Sequence, residues 1–559
     1  MVEPMIYDER VSGKMVNHWD VPVLVVGGGP VGLALAGDLG WRGVRCLLVE
    51  RTDGTIVQPK MDMVGVRTME FCRRWGIVEW VEQSPYPLDY PQDNAYVTSV
   101  TGYELGRHPV PSYAQAPVSS QSPQKRHRCP QDMFDPILRR FASSFSGVAL
   151  EYETEVVSIA ETPDGVHVRL KDLRTGAERS VTAGFVVGCD GAASYVRDNA
   201  LGATMIGKGT LTYTTNLIFR SAELPALHDK GLLYRFIILG EEGTWATLVA
   251  INGADRWRMS IIGDGDPHLH SDAEIHAAIR RAVGTDFSYE LLSVVPWIRR
   301  ELVADSYRQS RLFIGGDAAH VTSPTGGFGM NMGIGDAVDL AWKLDAVLAG
   351  WGGPGLLASY QAERRPVALR NVSEASDNLA RMLSPRLDPP GPRLTDPSPE
   401  GDVLRADLGR RFSQAIAREW TTIGIHLGYR YDDSPVICPD GSPAEPMEVT
   451  SYTQTARPGA RAPHVWLGDG SSTLDLFGRG FVLLSLGDRE DQPGRLVAAA
   501  AAAGVPLRTV HLSEPAVLEA YGRRLVLVRP DGHVAWRADD DPDDAAAVID
   551  RVRGAVLRP

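Results

Sequence analysis

Residues 23–34 read VLVVGGGPVGLA. Four branched apolar residues run straight into three glycines, and a fourth, Gly32, follows. The apolar run predicts a buried strand, and the residues after it predict a helix. Side chains are excluded between the two, so something must pass close to the backbone there. Gly27-x-Gly29-x-x-Gly32 at a strand-to-helix turn suits the pyrophosphate of a dinucleotide, held by free N–H groups at the positive end of the helix. A second strand, VRCLLVE, ends in Glu50, placed to accept a hydrogen bond from a ribose hydroxyl.

Outward from this unit, the chain has 559 residues, which suits two to four domains. The net charge is −13, from 57 basic and 70 acidic residues. That excludes a general nucleic-acid binder and a protein drawn to anionic membranes. Five cysteines lie far apart, with no CxxC and no zinc-ligand spacing, so no metal is expected and a reducing cytoplasm is. The first twenty residues are polar and show no signal peptide.

A Pro-, Tyr- and Ser-rich stretch covers 84–124 and resists assignment to helix or strand. Residues 211–263 alternate strand-like segments with Gly and Asp turns, the pattern of an inserted antiparallel sheet. Strand–loop–helix returns at 311–349. Six prolines in 384–400 read as a linker, and 460–559 alternates strands and helices as a small α/β unit.

Two further stretches carry chemistry. FVVGCDGAASYVR (185–197) delivers Asp190, Gly191, Ser194 and Arg197 after a strand; a plain strand, turn and Ser194-capped helix accounts for it equally well. RLFIGGDAAHVTSPTGGFGMNMGIGDA (311–337) ends a strand at Gly316-Asp317, where open α/β sheets present ligand groups, and then runs through a loop of small residues. His320 in this stretch reads as a packing residue.

Together these three motifs resemble the single-component flavoprotein aromatic hydroxylases, the para-hydroxybenzoate hydroxylase-like group. The resemblance spans about 20–380. It continues through HLGYRYDDSPVI (426–437) and 458–484 toward the subgroup with a thioredoxin-like C-terminal domain, which includes phenol and natural-product hydroxylases. It implies an α/β fold in parts. A Rossmann-like FAD-binding domain occupies 20–210 plus 290–400, with 84–124 contributing to the substrate domain at 211–289. A helical linker follows at 401–445, then a thioredoxin-like domain at 446–559. Like the subgroup's, that last domain lacks redox cysteines, so a structural or oligomerisation role is expected.

For the cofactor, non-covalent FAD, the resemblance implies Gly27, Gly29, Gly32, Glu50 and Arg51 at the adenosine end. Lys60 stands where the subgroup often has Arg. Gln131 is implied at the ribityl or phosphate portion, Asp317 at a ribityl hydroxyl, and Pro324, Gly327, Gly329, Met330 and Asn331 along the flavin ring. Asp190 and Arg197 are implied in both FAD and NAD(P)H binding. Aromatic and long residues of the inserted sheet, Tyr213, Tyr234, Phe236, Trp245 and Met259, are candidate substrate contacts, although such residues are more often core.

The expected activity is hydroxylation of a phenolic or heteroaromatic ring with NAD(P)H and O2, through a C4a-hydroperoxyflavin, in natural-product biosynthesis or aromatic catabolism. The expected partners are the small aromatic substrate and O2, with no nucleic acid or membrane, and homo-oligomers are allowed. An FAD oxidase or dehydrogenase on the same fold, or a non-catalytic flavin-binding pathway partner, is the alternative. No residue is identifiable as a catalytic base, and no motif names the substrate.

Overall fold

A computed structural model describes residues 19–487 and 493–555. The polar start read from the sequence falls mostly outside them. Five parallel strands form the centre of the first sheet, in the order Leu312–Ile314, Glu178–Gly188, Val21–Val26, Cys46–Val49, Val148–Glu151. Val21–Val26 and Cys46–Val49 are apolar along their whole length because both faces are covered. Register makes the site: Val26 pairs with Gly188, and Gly188 with Ile314. Three motifs distant in sequence therefore leave the same edge of one sheet side by side.

The second sheet has eight strands. Its longest members, Met205–Arg220 and Glu290–Ala304, run antiparallel. Asn94–Val97 and Glu104–His108, from the unassigned Pro-rich stretch, complete its far edge. One face packs on helix Asp272–Val283 through Phe219, Phe236, Leu248 and Met259. Part of the other face is covered by helices Ser359–Leu383 and Pro399–Trp420 through Ile237, Leu239 and Phe412. What remains of that face lines a cavity.

The six-proline stretch is not a loose tether. Arg386 donates to the carbonyls of Thr244, Gly263 and Ile262 at the sheet's end, and Leu394 is fully buried. Ser398 then caps the Pro399–Trp420 helix.

The C-terminal unit has strand order Leu507–Leu512, Phe481–Leu486, Leu525–Val528, Val534–Ala538, with the first pair parallel and the others antiparallel. Helices follow the first, second and last strands in sequence. This is the thioredoxin-like arrangement. Its inner face docks on helix Gly329–Leu348, where Trp342 meets Phe481 edge-on at 6.1 Å.

A buried ion network crosses the same contact. Arg529 donates to Glu363 (2.5 and 2.9 Å), Asp339 (3.1 Å) and Asp531 (2.6 Å), and Lys343 to Asp339 (2.7 Å) and Glu363 (2.6 Å). Three carboxyls thus share two cations. Burial pushes Asp339 well above the usual carboxylate range, with Glu363 and Asp531 adding to this against Lys343 and Arg529. Burial also opposes charge on Glu363, but Arg529 and Lys343 outweigh it and hold that carboxyl low. A second crossing pair joins Arg461 to Glu70, which Arg67 also meets at 2.8 Å.

His533, beside this network, is buried with Nδ1 3.2 Å from Asp531. Burial outweighs Asp531 and lowers its pKa to about 4. An unfolded histidine titrates near ~6.5. Between those values the unfolded chain takes up a proton that the folded one refuses, so stability falls as pH drops from ~6.5 to ~4, by at most about 3 kcal/mol. Urea unfolding against pH is expected to show a slope of this sign, to which His426 and His464, also lowered to about 4 by burial, contribute, and His533→Phe to lessen it. Equal slopes in both proteins would contradict the assignment.

Candidate active site

The glycine turn is built for close approach. Gly27 has φ +109°, and a Cβ on Gly32 would lie 2.0 Å from the Gly27 carbonyl oxygen, so neither tolerates a side chain. A Cβ on Gly29 would meet no protein atom within 4 Å, which leaves open space on the side where a ligand would lie. No side chain caps the Pro30–Arg42 helix, so its first-turn N–H groups are left for a ligand. Glu50 is fixed: its Oε2 accepts from Gly28 N–H (2.7 Å), and its Oε1 from the N–H and hydroxyl of Thr52 (2.8 Å each). Arg51, next to it, is exposed.

The second motif is mostly internal scaffolding. Asp190 accepts from the Ser194 hydroxyl (2.5 Å) and Val196 N–H (3.1 Å), and Ser194 accepts from Arg197 N–H (3.0 Å). Arg197 is buried, paired with Asp198, and donates to the Ala318 carbonyl (3.2 Å). It therefore ties this motif to the third. The cavity itself is reached here by Cys189 and Gly191.

Asp317 lies on the cavity wall in a short 3-10 turn, Gly316–Ala318, just beyond the adjacent strand Leu312–Ile314 where the sequence placed it at the strand's end, and among the described residues its carboxylate has no hydrogen-bond partner. Pro324, Gly327, Gly329 and Met330 line the same wall. Asn331 lies behind them. Its Oδ1 accepts from Gly65 N–H (2.7 Å) and the Thr68 hydroxyl (2.8 Å), while its Nδ2 donates to the carbonyls of Met63 (3.1 Å) and Gly327 (2.8 Å). It fastens the small-residue loop to the chain around Gly65. Gln131, also on the wall, bridges Lys60 N–H (3.0 Å) and Asp135 (3.0 Å). Lys60 is exposed, with Nζ 5.8 Å from the centre of the Trp297 ring. His320 is buried, 2.7 Å from Asp336, away from the cavity.

The cavity measures about 370 Å³ and runs from the glycine turn to the free face of the large sheet. Of the five substrate candidates, Tyr234 is on its wall. Tyr213, Phe236 and Met259 alternate with cavity-facing neighbours and point to the opposite face. Trp245 sits at a bulge opposite Ile238 and Leu239, which turns its ring into the core beneath Arg281. Phe219, Phe236 and Trp257 mark the helix-packed face, and the cavity face carries polar residues, Asn216, Thr247, Arg258, Ser260 and Arg299, beside Val249, Val295 and Trp297.

Sequence reasoning missed that polar set, together with Asp62, Arg126, Arg128, Glu419 and Trp420. Asp62 accepts from Tyr234 (2.5 Å), Arg128 (2.8 Å) and Arg258 (3.1 Å), and the Arg128 guanidinium stacks 3.6 Å over the Tyr234 ring. Burial opposes charge on Asp62, but Arg128 and Arg258 outweigh it and hold it ionised. Glu419 pairs with Arg235 at 3.0 Å. Gln58 lines the wall with both amide atoms buried and unpartnered. The available signal was polar residues along one alternating face of strands whose other face is apolar, as Arg258 and Ser260 alternate with Trp257, Met259 and Ile261.

The family described as FAD binding domain matches residues 20–375, and that described as aromatic-ring hydroxylase, C-terminal, matches 455–556. A putative polyketide hydroxylase from Streptomyces halstedii is 34% identical over 95% of both chains. Tetracenomycin B2 monooxygenase-dioxygenase from Streptomyces olivaceus is 34% identical over 97% of this chain and 99% of its own. The solved structure of the rebeccamycin biosynthetic enzyme RebC with reduced flavin superposes with TM-score 0.89 at 41% identity, over 96% of this chain and 99% of that one.

Proposed function

The chain belongs to the FAD-dependent aromatic-ring hydroxylases, and from that premise we propose that it hydroxylates a phenolic or heteroaromatic ring of a natural-product intermediate, with NAD(P)H and O2 as co-substrates. The observation that supports this is the single cavity joining the glycine turn and Asp317 to the polar face of the large sheet. The names of its hydroxylase relatives point the same way.

The residues present fit FAD. An open approach at Gly29, an uncapped helix start, an unpaired carboxylate at Asp317 and the orphaned amide of Gln58 face one space. Bound FAD would supply the two-electron chemistry and O2 activation that side chains lack. We assign Gly27, Gly29 and Gly32 to its pyrophosphate, Glu50 and Arg51 to the adenosine end, and Asp317 and Gln58 to the ribityl chain. Pro324, Gly327, Gly329 and Met330 are assigned to the ring. Gln131, Asn331, Asp190 and Arg197 hold these loops in place.

On the other side, Tyr234, Trp297 and Trp420 offer flat surfaces to an aromatic substrate and exclude water around it. The five cysteines are free, and a cytoplasmic setting suits them. Among the described residues no helix is long and apolar enough to cross a membrane.

Two results are expected. Asp317→Ala loses a charge-assisted hydrogen bond of about 1.5–3 kcal/mol, so FAD affinity falls roughly ten- to hundredfold. Unchanged affinity by fluorescence titration would remove Asp317 from the site. In the FAD-loaded native protein, an aromatic substrate is expected to accelerate NAD(P)H oxidation. A protein that binds FAD but consumes no NAD(P)H with any of a broad panel of phenols and hydroxy-heteroaromatics would be a binder instead.

A further inference from the structure

The chain carries 13 methionines. Three of them, Met61, Met63 and Met330, line the cavity and are partly buried there. Two of these meet the loop assigned above to the flavin ring. Met330 follows Gly329 at the start of helix Gly329–Leu348. The tip of Met63 reaches over Gly327: a Cβ on that glycine would lie 2.9 Å from the Met63 Cε. Met61 is held beside Gln131, whose N–H donates to its carbonyl at 3.0 Å. Elsewhere, Met69, Met259, Met332 and Met382 are buried in the core, and Met447 is 40% exposed.

A thioether accepts oxygen without first losing a proton, and the product is a sulfoxide. A thiol must ionise to react quickly. Cys189 also lines the cavity, but burial, with Asp190 and Asp336 adding to it, pushes its thiol up, so it stays protonated and slow. Leucine would supply the same apolar wall without this reactivity. The methionines are therefore the oxidisable part of the wall.

Oxidant arises in the same space. When no ring is in place to take an oxygen atom, O2 reduced at bound FAD leaves as hydrogen peroxide, with two electrons from NAD(P)H and two protons. One molecule released into a cavity of about 370 Å³ is at molar concentration, within reach of three thioethers.

Resting on the FAD-and-O2 part of the reading above, we propose that Met61, Met63 and Met330 are sites of oxidative modification, taking an oxygen atom from hydrogen peroxide made in the cavity when turnover is uncoupled from a ring. The step balances. A sulfur lone pair attacks one peroxide oxygen, an S–O bond forms as the O–O bond breaks, and the other oxygen leaves with both protons as water. The sulfur is oxidised by two electrons and the peroxide reduced by two. A sulfoxide is polar and chiral where a flexible apolar chain lay. At Met63 and Met330 it places a dipole on the loop that receives the ring, so turnover without substrate limits itself by loosening FAD. A ring in the cavity protects the three residues by taking the oxygen first.

The test uses FAD-loaded protein, reduced by light in the absence of oxygen and then mixed with ¹⁸O2-saturated buffer over repeated cycles. Catalase is present in the bulk and no aromatic compound is added. Reduction by light makes the result independent of NAD(P)H. Peptide mass spectrometry reads which sulfur atoms carry ¹⁸O, and oxygen gained during digestion is unlabelled. Label at Met61, Met63 and Met330 is expected at least about tenfold above that at Met447, and omitting catalase is expected to change it less than about twofold, because capture precedes escape from the cavity. Cys189 is expected to remain a thiol. Peroxide added from outside to the unreduced protein is expected to reverse the order, with Met447 oxidised first. FAD retention is expected to fall as label accumulates, and at most about a third as fast in Met63→Leu/Met330→Leu, whose side chains keep nearly the same volume without the sulfur.

No label at the cavity methionines, label that catalase removes, or equal label at Met447 overturns the proposal, and none of these arms needs a variant to fold. A double variant that loses FAD as fast as the native protein overturns the self-limiting effect. Turnover with NAD(P)H and an accepted aromatic substrate is read separately. Labelled ring product from a protein whose methionines take no label without substrate leaves the hydroxylase reading intact and removes the modification sites. Labelled methionines, with no ring product from any of a broad panel of phenols, support the sites and count against hydroxylation.

Discussion

Arg529→Met is expected to destabilise the docked C-terminal domain by about 3–5 kcal/mol, the usual cost of removing one partner from a buried ion network. The reason is local. Arg529 is fully buried and meets Glu363, Asp339 and Asp531 at once, so its loss leaves three carboxyls with Lys343 as their remaining fixed cation. The effect should reach the active site. Asp339 and Lys343 lie on helix Gly329–Leu348, whose first residues form the small-residue loop at the cavity. The measurement is urea unfolding followed by tryptophan fluorescence, with flavin retention read in parallel. Adding Glu363→Leu should recover part of the loss, because a hydrophobic replacement of both partners removes the unpaired charge. A loss below about 1 kcal/mol for Arg529→Met would contradict a network that holds the domains together.

Gly32→Ala and Gly29→Ala are expected to fail in different ways, and the difference locates the ligand. At Gly32 the new Cβ would sit 2.0 Å from a backbone oxygen, so the turn must move; both stability and FAD binding should fall. At Gly29 the new Cβ touches no protein atom, and the backbone, at φ −75°, accepts alanine. Its folding stability should stay within about 1 kcal/mol of native. Its FAD affinity should nevertheless drop roughly ten- to hundredfold, because the methyl group takes space that the pyrophosphate needs. Native FAD affinity in Gly29→Ala would move the dinucleotide elsewhere.

The nucleotide-binding half was legible because its signals are local: a strand, a tight turn and a helix are neighbours in the chain between Val21 and Arg42. The Asp317 stretch was legible for the same reason. The substrate half was not. Its wall is assembled from Asp62, Arg126, Tyr234, Arg299 and Glu419, which come from separate segments brought together only by tertiary packing.

Alternation in the strands reveals which residues share a face, but not which face meets a helix and which meets a cavity. Choosing the larger apolar side chains therefore selected the core, as Phe236 and Met259 illustrate. A bulge at Trp245 adds a reversal of phase that no pattern announced. The strands Asn94–Val97 and Glu104–His108 went unseen because they are short and the first pairs with a strand far along the chain. The reading of 384–400 as a linker rested on proline content, which is equally suited to a rigid strap against the sheet.

Incubation of the FAD-loaded protein with NAD(P)H, ¹⁸O2 and an accepted aromatic substrate tests the central claim most directly, with NAD(P)H, peroxide and product measured together. One labelled oxygen atom is expected in the product for each NAD(P)H consumed in the coupled reaction, with peroxide low, because a filled, dry cavity favours transfer to the ring. NAD(P)H consumption that ends wholly in peroxide, with no label in any product of the accelerating substrate, would contradict it.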